Sequence, residues 1–297
     1  TASMVPILVV LGLLVCNQAI AAPAPEKVLK WKLQTHMLPG QPHYDLGLST
    51  MLPRVIKERT GGRIEITAYP SGALVPVPEM LNALGAGMFE MVVTAPSYWR
   101  GFLPVADVEG GLPASWRDVM DPYNLFWDEG MEKEIMIPAY EKHKVRYVTV
   151  MPGSVITLFT TKPITKAADF KGMKLRGFGG FMDLLTSLGA SAVYIPHGEI
   201  YTALALGTVE GAMSSPLAYY GIKLYEQVKY IVQPNFIGNY NDHMLVNMNA
   251  WNSLPEDLRQ TFLAAAREVS WNYGRLQVAE EMKAMRGFQE KGSRISV

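Results

Sequence analysis

Short apolar segments alternate with amphipathic ones along this 297-residue chain, and that alternation limits its fold more than any other feature. Leu29, Trp31 and Leu33 interleave with Lys30, Lys32 and Gln34, which is a strand pattern. Tyr44 to Arg59 carries Leu48, Leu52, Val55 and Ile56 at helical spacing and stops at Gly61-Gly62. Arg63 to Tyr69 reads as a strand. Pro78 to Met88 reads as a helix with Met80, Leu81, Leu84 and Met88 on one face, and Phe89 to Thr94 as a buried strand. A β-α-β-α-β order predicts a mostly parallel sheet with helices on both faces.

The layout then recurs. Ser115 to Lys144 reads as helical, rich in Trp, Tyr and Phe and broken by Pro122 and Pro138, and Val145 to Met151 reads as a strand. Next come strand Met173–Phe178, helix Phe181–Leu188, strand Ser191–Ile195, helix His197–Leu206 and strand Thr208–Ser214. The fold class is therefore α/β, in two units of related layout without sequence repetition. Tyr219 to Tyr230 is expected to be a helix, and Leu245 to Asn249 a strand returning to the first unit. Ser253-Leu-Pro-Glu256 matches a capping box, and the helix it opens is predicted to run through Leu258, Phe262, Ala265 and Val269 to about Met285. The chain ends at Ile295-Ser-Val297 as a further strand begins.

Composition excludes several classes. Hydrophobic residues make up 49% and charged residues 18%, enough for a sizeable core and against disorder. Lys+Arg 27 balances Asp+Glu 27, so the basic excess that nucleic-acid binding needs is missing. Met4 to Val15 is an apolar run too short to span a bilayer with ease. Ala19 and Ala21 after it fit an A-x-A cleavage site, and Ala22-Pro-Ala-Pro resembles a mature start. Residues 1–22 are thus read as a signal peptide. No Lys or Arg precedes the run, so Thr1-Ala-Ser is read as extraneous to the native start; a membrane anchor is the alternative. Cys16, the single cysteine, lies in this segment and leaves the mature part without disulfides. As a lipoprotein attachment site it would follow Val15, bulkier than the residue expected there. Export without disulfides in a chain of this size fits a bacterial periplasm.

Catalytic and metal-binding signatures are sparse. There is no G-x-S-x-G and no phosphate-binding G-x-x-x-x-G-K-[ST], and His36, His43, His143, His197 and His243 stand apart at no metal-ligand spacing. Each His is read as a capped or core residue, and the pairs Asp128-Glu129 and Glu280-Glu281 as solvated helix faces. Binding features are better represented. Arg176 lies in Lys171-Gly-Met-Lys-Leu-Arg-Gly-Phe-Gly-Gly180, near the carboxyl end of a strand and beside a helix start, where open α/β sheets hold anionic ligands. Its planar fork fits a carboxylate in bidentate fashion; a surface ion pair is the alternative. Tyr98 and Trp99 follow the end of another strand and would either wall a pocket or cover interdomain core. Ser214 and Ser215, ahead of Pro216, would offer hydroxyls to a small ligand or simply form a turn.

Longer runs carry a resemblance. They are Arg63-Ile-Glu-Ile-Thr-Ala-Tyr-Pro-Ser-Gly-Ala-Leu74, Ala83-Leu-Gly-Ala-Gly-Met-Phe-Glu-Met91, Pro163-Ile-Thr-Lys-Ala-Ala-Asp-Phe-Lys-Gly-Met-Lys-Leu-Arg176, Pro196-His-Gly-Glu-Ile-Tyr-Thr-Ala-Leu-Ala-Leu-Gly-Thr-Val-Glu-Gly211 and Ala250-Trp-Asn-Ser-Leu-Pro255. Together they resemble the solute-binding proteins of tripartite ATP-independent periplasmic (TRAP) transporters over nearly all the mature chain. The resemblance implies a two-lobed periplasmic binding protein fold with hinge-crossing strands and a long helix, closing on its ligand. Residues 23–150 plus about 236–275 would form lobe I, and residues 151–235 plus about 276–297 lobe II; the family's chains usually run further, so the C-terminus is read as truncated. Arg176 would be the carboxylate-binding arginine, with Ser215, Ser214, Tyr98, Trp99 and Phe178 around the ligand. The ligand would pass to TRAP membrane permease subunits, and the binding protein would catalyse nothing and use no cofactor. A ligand-sensing protein acting on a signalling receptor is the alternative function. A monomer is expected, with a dimer as the alternative.

Departures from the family narrow the ligand. The sialic-acid branch has an Asn before the proline where Ser215 stands, and a second arginine where Val155, Ile156 and Thr157 stand. The branch that binds keto acids or lactate through a cation has an acidic-Trp pair near Met213 and Ser214 and a Gln near Ile156; none is present. What remains is a direct contact from Arg176 to the carboxylate of a small or moderately apolar acid.

Overall fold

The computed structural model describes residues 28–297. The expected signal peptide and Cys16 lie outside the described residues. Eleven strands among the described residues form two sheets: β1 (Leu29–Thr35), β2 (Ile64–Tyr69), β3 (Met91–Thr94), β4 (Val145–Pro152), β5 (Ile156–Thr160), β6 (Lys174–Gly177), β7 (Ser191–Tyr194), β8 (Gly211–Ser214), β9 (Tyr230–Ile237), β10 (Asn241–Asn247) and β11 (Arg294–Ser296). The first sheet runs β2-β1-β3-β10-β4 and the second β11-β9-β5-β8-β6-β7.

Both sheets are mixed, which corrects the expectation of a mostly parallel one. β10 runs antiparallel to β3 and β4, and β5 antiparallel to β8 and β9, while β2-β1-β3 and β8-β6-β7 are parallel. The cause is the crossing of the chain between sheets. β4 leaves the first sheet at Pro152 and continues as β5 in the second; β9 leaves the second and continues as β10 in the first. The two crossings pair with one another, Gly153 N donating to Tyr240 O at 2.9 Å and Tyr240 N to Ser154 O at 2.9 Å.

A 35-residue helix, Glu256–Glu290, ties the lobes together from behind. Its buried residues recur every three or four positions, one stripe along the whole length. At its start, Phe262 meets Trp31 edge-on at 5.3 Å within the core of the first sheet. At its end, Phe288 packs on Phe159 at 4.8 Å within the second. Each aromatic so buried contributes about 1.5–3 kcal/mol. No helix among the described residues is long and apolar enough to cross a membrane.

Three local expectations change. The capping box does not form: the N-cap is Pro255, which has no side-chain cap, and the Ser253 hydroxyl donates backwards to Ala250 O at 2.7 Å, closing the preceding short helix. The helix expected over 219–230 is one from Pro216 to Gly221, then left-handed Lys223 and a single turn at Leu224–Glu226, with Tyr230 already opening β9. Its apolar residues Leu224 and Val228 mimic helical spacing because they plug the second core. Finally, Glu281 is a buried residue of the long helix, although its neighbour Glu280 pairs with Lys283 near the surface.

The crossing tolerates no side chain at Gly153. A Cβ there would stand 2.5 Å from the Tyr240 backbone oxygen, which cannot move without breaking the crossing pair. Gly153→Ala is expected to destabilise the protein by about 1–3 kcal/mol. Urea denaturation should show a lower midpoint at unchanged slope.

Candidate functional site

The cleft between the lobes opens onto the carboxyl ends of β1, β3, β6 and β8 and onto the two crossings, where parallel segments present free backbone and side chains to a ligand. It holds a cavity of about 70 Å³.

Arg176 reaches this cleft from β6. It is only 3% exposed. Its Nε donates to Ile195 O at 3.0 Å and its Nη1 to Met213 O at 2.6 Å, and the guanidinium carbon lies 4.9 Å from the centre of the Phe178 ring. Two backbone carbonyls and a ring face thus hold the fork rigidly, while the third nitrogen has no carbonyl of its own. No carboxylate pairs with Arg176 among the described residues. A buried charge without a counter-ion is costly unless something else supplies the opposite charge.

The surroundings add no further positive charge. Burial pushes His43 down to about 3. Burial first, and the positive Arg176 second, push His197 down to about 3. Burial holds His36 well below its usual value. All three imidazoles are neutral at pH 7. His36 Nδ1 pairs with Thr94 Oγ1 at 3.0 Å, and His197 Nε2 meets the Gln41 amide nitrogen, which can only donate, at 2.8 Å, so His197 accepts there. Burial also raises the Tyr98 hydroxyl, and lifts the Tyr219 hydroxyl to about 12.

Of the residues singled out from sequence, Arg176, Phe178, Ser214, Ser215 and Tyr98 come together on the cleft wall. Ser215 Oγ accepts from Ala218 N at 3.1 Å and so caps the helix that follows, leaving its own proton for another acceptor. Tyr98 packs against His36 and, across the cleft, edge-on to Tyr194 at 6.4 Å. Trp99 does not join them. Pro96–Trp99 is a single 3₁₀ turn, so neighbouring side chains diverge by a third of a revolution; Tyr98 faces the cleft, and Trp99 turns into the core and stacks on His243 at 5.1 Å.

The cleft also contains residues that the sequence reading passed over: the three histidines, Tyr240 and Asp242. Two carried a signal. His36 directly follows β1 at its carboxyl end, the position that drew attention to Arg176. Asp242 interrupts a buried strand, where a carboxyl is out of place. Burial pushes Asp242 up to about 7, despite the Tyr273 hydroxyl beside it.

Polar contacts bridge the lobes at the cleft rim. Arg100 donates to Gly179 O at 2.6 Å and to Asp183 at 2.8 Å, and Gln41 donates to Ala218 O at 3.2 Å. Gly179 adopts a backbone conformation, φ 51° and ψ −147°, that is open essentially to glycine alone, and a Cβ there would stand 3.1 Å from both Asp107 and Ser97. The close approach of the lobes depends on it.

The model of the bacterial extracellular solute-binding proteins, family 7 (DctP), matches residues 37–297. The chain belongs to that family. It is 28% identical over 247 residues to a monocarboxylate 2-oxoacid-binding periplasmic protein of Nostoc sp., covering 82% of this chain and 66% of that one. It is 26% identical to the C4-dicarboxylate-binding periplasmic protein DctP of Rhodobacter capsulatus, covering 79% of this chain and 70% of that one. The chain thus spans about two thirds of the length of these curated relatives. Among solved structures, a TRAP periplasmic solute-binding protein from Desulfovibrio salexigens with bound orotic acid superposes with a TM-score of 0.81 at 26% identity, over 90% of this chain and 85% of that one. The fold is the two-lobed one of TRAP solute-binding proteins, as the resemblance implied. These matches are solute-binding proteins rather than enzymes.

Behind the cleft, burial raises Glu281 to about 8, against hydrogen bonds from Ser154 and from the Leu217 and Val155 backbone. Its folded value lies above the unfolded one, so the folded state holds a proton that the unfolded chain sheds between about pH 4.5 and pH 8. Stability from this group is full below that window and lost as pH rises through it. Glu281→Gln should therefore change little at pH 4.5 and stabilise by a few kcal/mol, on the order of 2–4, at pH 9. Urea midpoints at the two pH values check this.

Proposed function

We propose that this chain is a periplasmic receptor that captures a small organic acid through Arg176 and delivers it to the membrane subunits of a TRAP transporter. One observation carries the reading: a buried guanidinium, fixed by two carbonyls, opens into the interlobe cleft with no carboxylate of the protein to neutralise it. A ligand carboxylate supplies the missing charge and accepts the unused N–H donors. Ser214, Ser215 and Tyr98 offer hydroxyls to the same ligand, and Phe178 with Ile156 and Met37 walls it from water. A single cation in a largely apolar cleft suits one carboxylate rather than several. The relatives' ligands agree in class: orotic acid in the Desulfovibrio salexigens protein, pyroglutamic acid in a Bordetella pertussis receptor. The crossing strands and the long helix provide the hinge on which the lobes close over the acid, and the Arg100 and Gln41 bridges hold the closed form.

Removing the fork leaves the carboxylate buried and unpaired. Arg176→Ala is expected to weaken binding of an acid ligand by about 2–5 kcal/mol, roughly 30- to 5,000-fold. Arg176→Lys, which keeps the charge without the fork, should fall between. Calorimetric titration with the acid that gives the largest thermal shift in a panel of small mono- and dicarboxylates, keto acids and hydroxy acids measures both. Unchanged affinity in Arg176→Ala would refute the assignment.

A further inference from the structure

The cleft holds a carboxyl as well as a guanidinium. Asp242 lies on β10 in the first sheet, whereas Arg176 lies on β6 in the second, and both line the same cavity. Asp242 is 4% exposed. No Lys, Arg or His pairs with it among the described residues. Its polar surroundings are the Tyr273 hydroxyl from the long helix and, further off, the Glu109 carboxyl from the helix Val105–Gly110; neither brings positive charge. The Tyr273 hydroxyl is close enough to Asp242 to act on it but makes no well-formed hydrogen bond. The same cavity wall includes the apolar Met37, Ala95, Ile156 and Phe178. The Tyr98 hydroxyl feels both charged groups, Arg176 and Asp242 acting on it with opposite sign.

A carboxyl that faces a cavity from a buried strand, with no protein cation to pair with it and only the Tyr273 hydroxyl beside it, is expensive for the fold. It is also selective. A second ligand carboxylate near Asp242 would be repelled, and an apolar group would leave Asp242 desolvated and unpaired. A ligand N–H satisfies it.

Resting on the reading of Arg176 as the carboxylate-binding group, we propose that Asp242 is a second specificity-determining residue of the cleft. The captured acid then carries, besides the carboxylate that Arg176 holds, an N–H donor, a charged amine or a neutral lactam. The substrate class is a compact nitrogen-bearing monocarboxylic acid.

Three five-membered ring acids that share ring size and carboxylate isolate the donor: cyclopentanecarboxylate has no N–H, pyroglutamate a neutral lactam N–H, and proline a charged one. Calorimetric titration of the wild-type protein and of Asp242→Asn with each provides the test. The wild type should bind at least one of the two nitrogen acids about 100-fold more tightly than cyclopentanecarboxylate, since a site built to bond an N–H rejects the analogue lacking it. Preference for proline over pyroglutamate assigns the donor as cationic, and the reverse as neutral. In Asp242→Asn, which keeps the shape and removes the charge, proline should lose most of its advantage while cyclopentanecarboxylate binds as before. The wild-type ratio is decisive even if the variant folds poorly. Equal binding of all three acids by the wild type would overturn the role of Asp242 and leave Arg176 as the carboxylate group. Binding of none of the three would overturn the proposal as well, and a flat response to the wider acid panel in addition would bring down the receptor reading with it.

Discussion

An uncompensated guanidinium in a buried cleft is the constraint around which this molecule is organised. Arg176 cannot be satisfied by water at 3% exposure, and the protein offers it two carbonyls and the face of Phe178 but no anion. The rest of the cleft conforms to that charge. Three histidines nearby are kept neutral by burial and, for His197, by Arg176 itself. The acidic groups of the rim, Asp107 and Asp183, pair with Arg100. In the receptor proposed above, a permanent internal counter-ion would compete with the acid and weaken its binding.

The scaffold that makes such a cleft is itself a compromise between two lobes that must be separate and one chain that must join them. Two strands cross in antiparallel pairing at Gly153 and Tyr240, and one helix spans both cores. The helix carries buried aromatic residues into the first core, Phe262 and Tyr273, and into the second, Phe288, and between them places polar Gln277 and Glu281, where it passes behind the crossing. Ser154 Oγ lies 3.3 Å from Gln277 Oε1, within this polar seam. An apolar middle would weld the lobes into one core. A polar one, at the cost of a carboxyl held protonated near neutrality, keeps the two cores distinct.

The fold was legible wherever local pattern and tertiary environment agreed. The alternating Leu29–Gln34 run became β1, and the apolar stripe after Pro255 became the long helix. Where they disagreed, the environment won. Leu224 and Val228 look helical in spacing yet sit in a turn, because the second core needed filling there. Ser253 and Glu256 carry the letters of a cap, but the hydroxyl was already committed to Ala250. Parallel pairing was overestimated because strands that cross from one sheet to the other reverse their sense relative to the neighbours they meet, and no window of a few residues contains that information.

Sequence alone determined the order of strands and helices, and the placing of Arg176 at the end of one strand beside a helix start, because strand and helix periodicities and the chemistry of a single arginine are written within a dozen residues. It also bore the family's runs, which carry the two-lobed fold. Only the tertiary structure decided which side chains share the cleft. Tyr98 enters and adjacent Trp99 does not, because one 3₁₀ turn rotates them apart. Asp242, His36, His43 and His197 join Arg176 from distant parts of the chain because the two sheets face one another across the cleft. Burial then sets their charge, and burial is a property of the packed whole rather than of any residue.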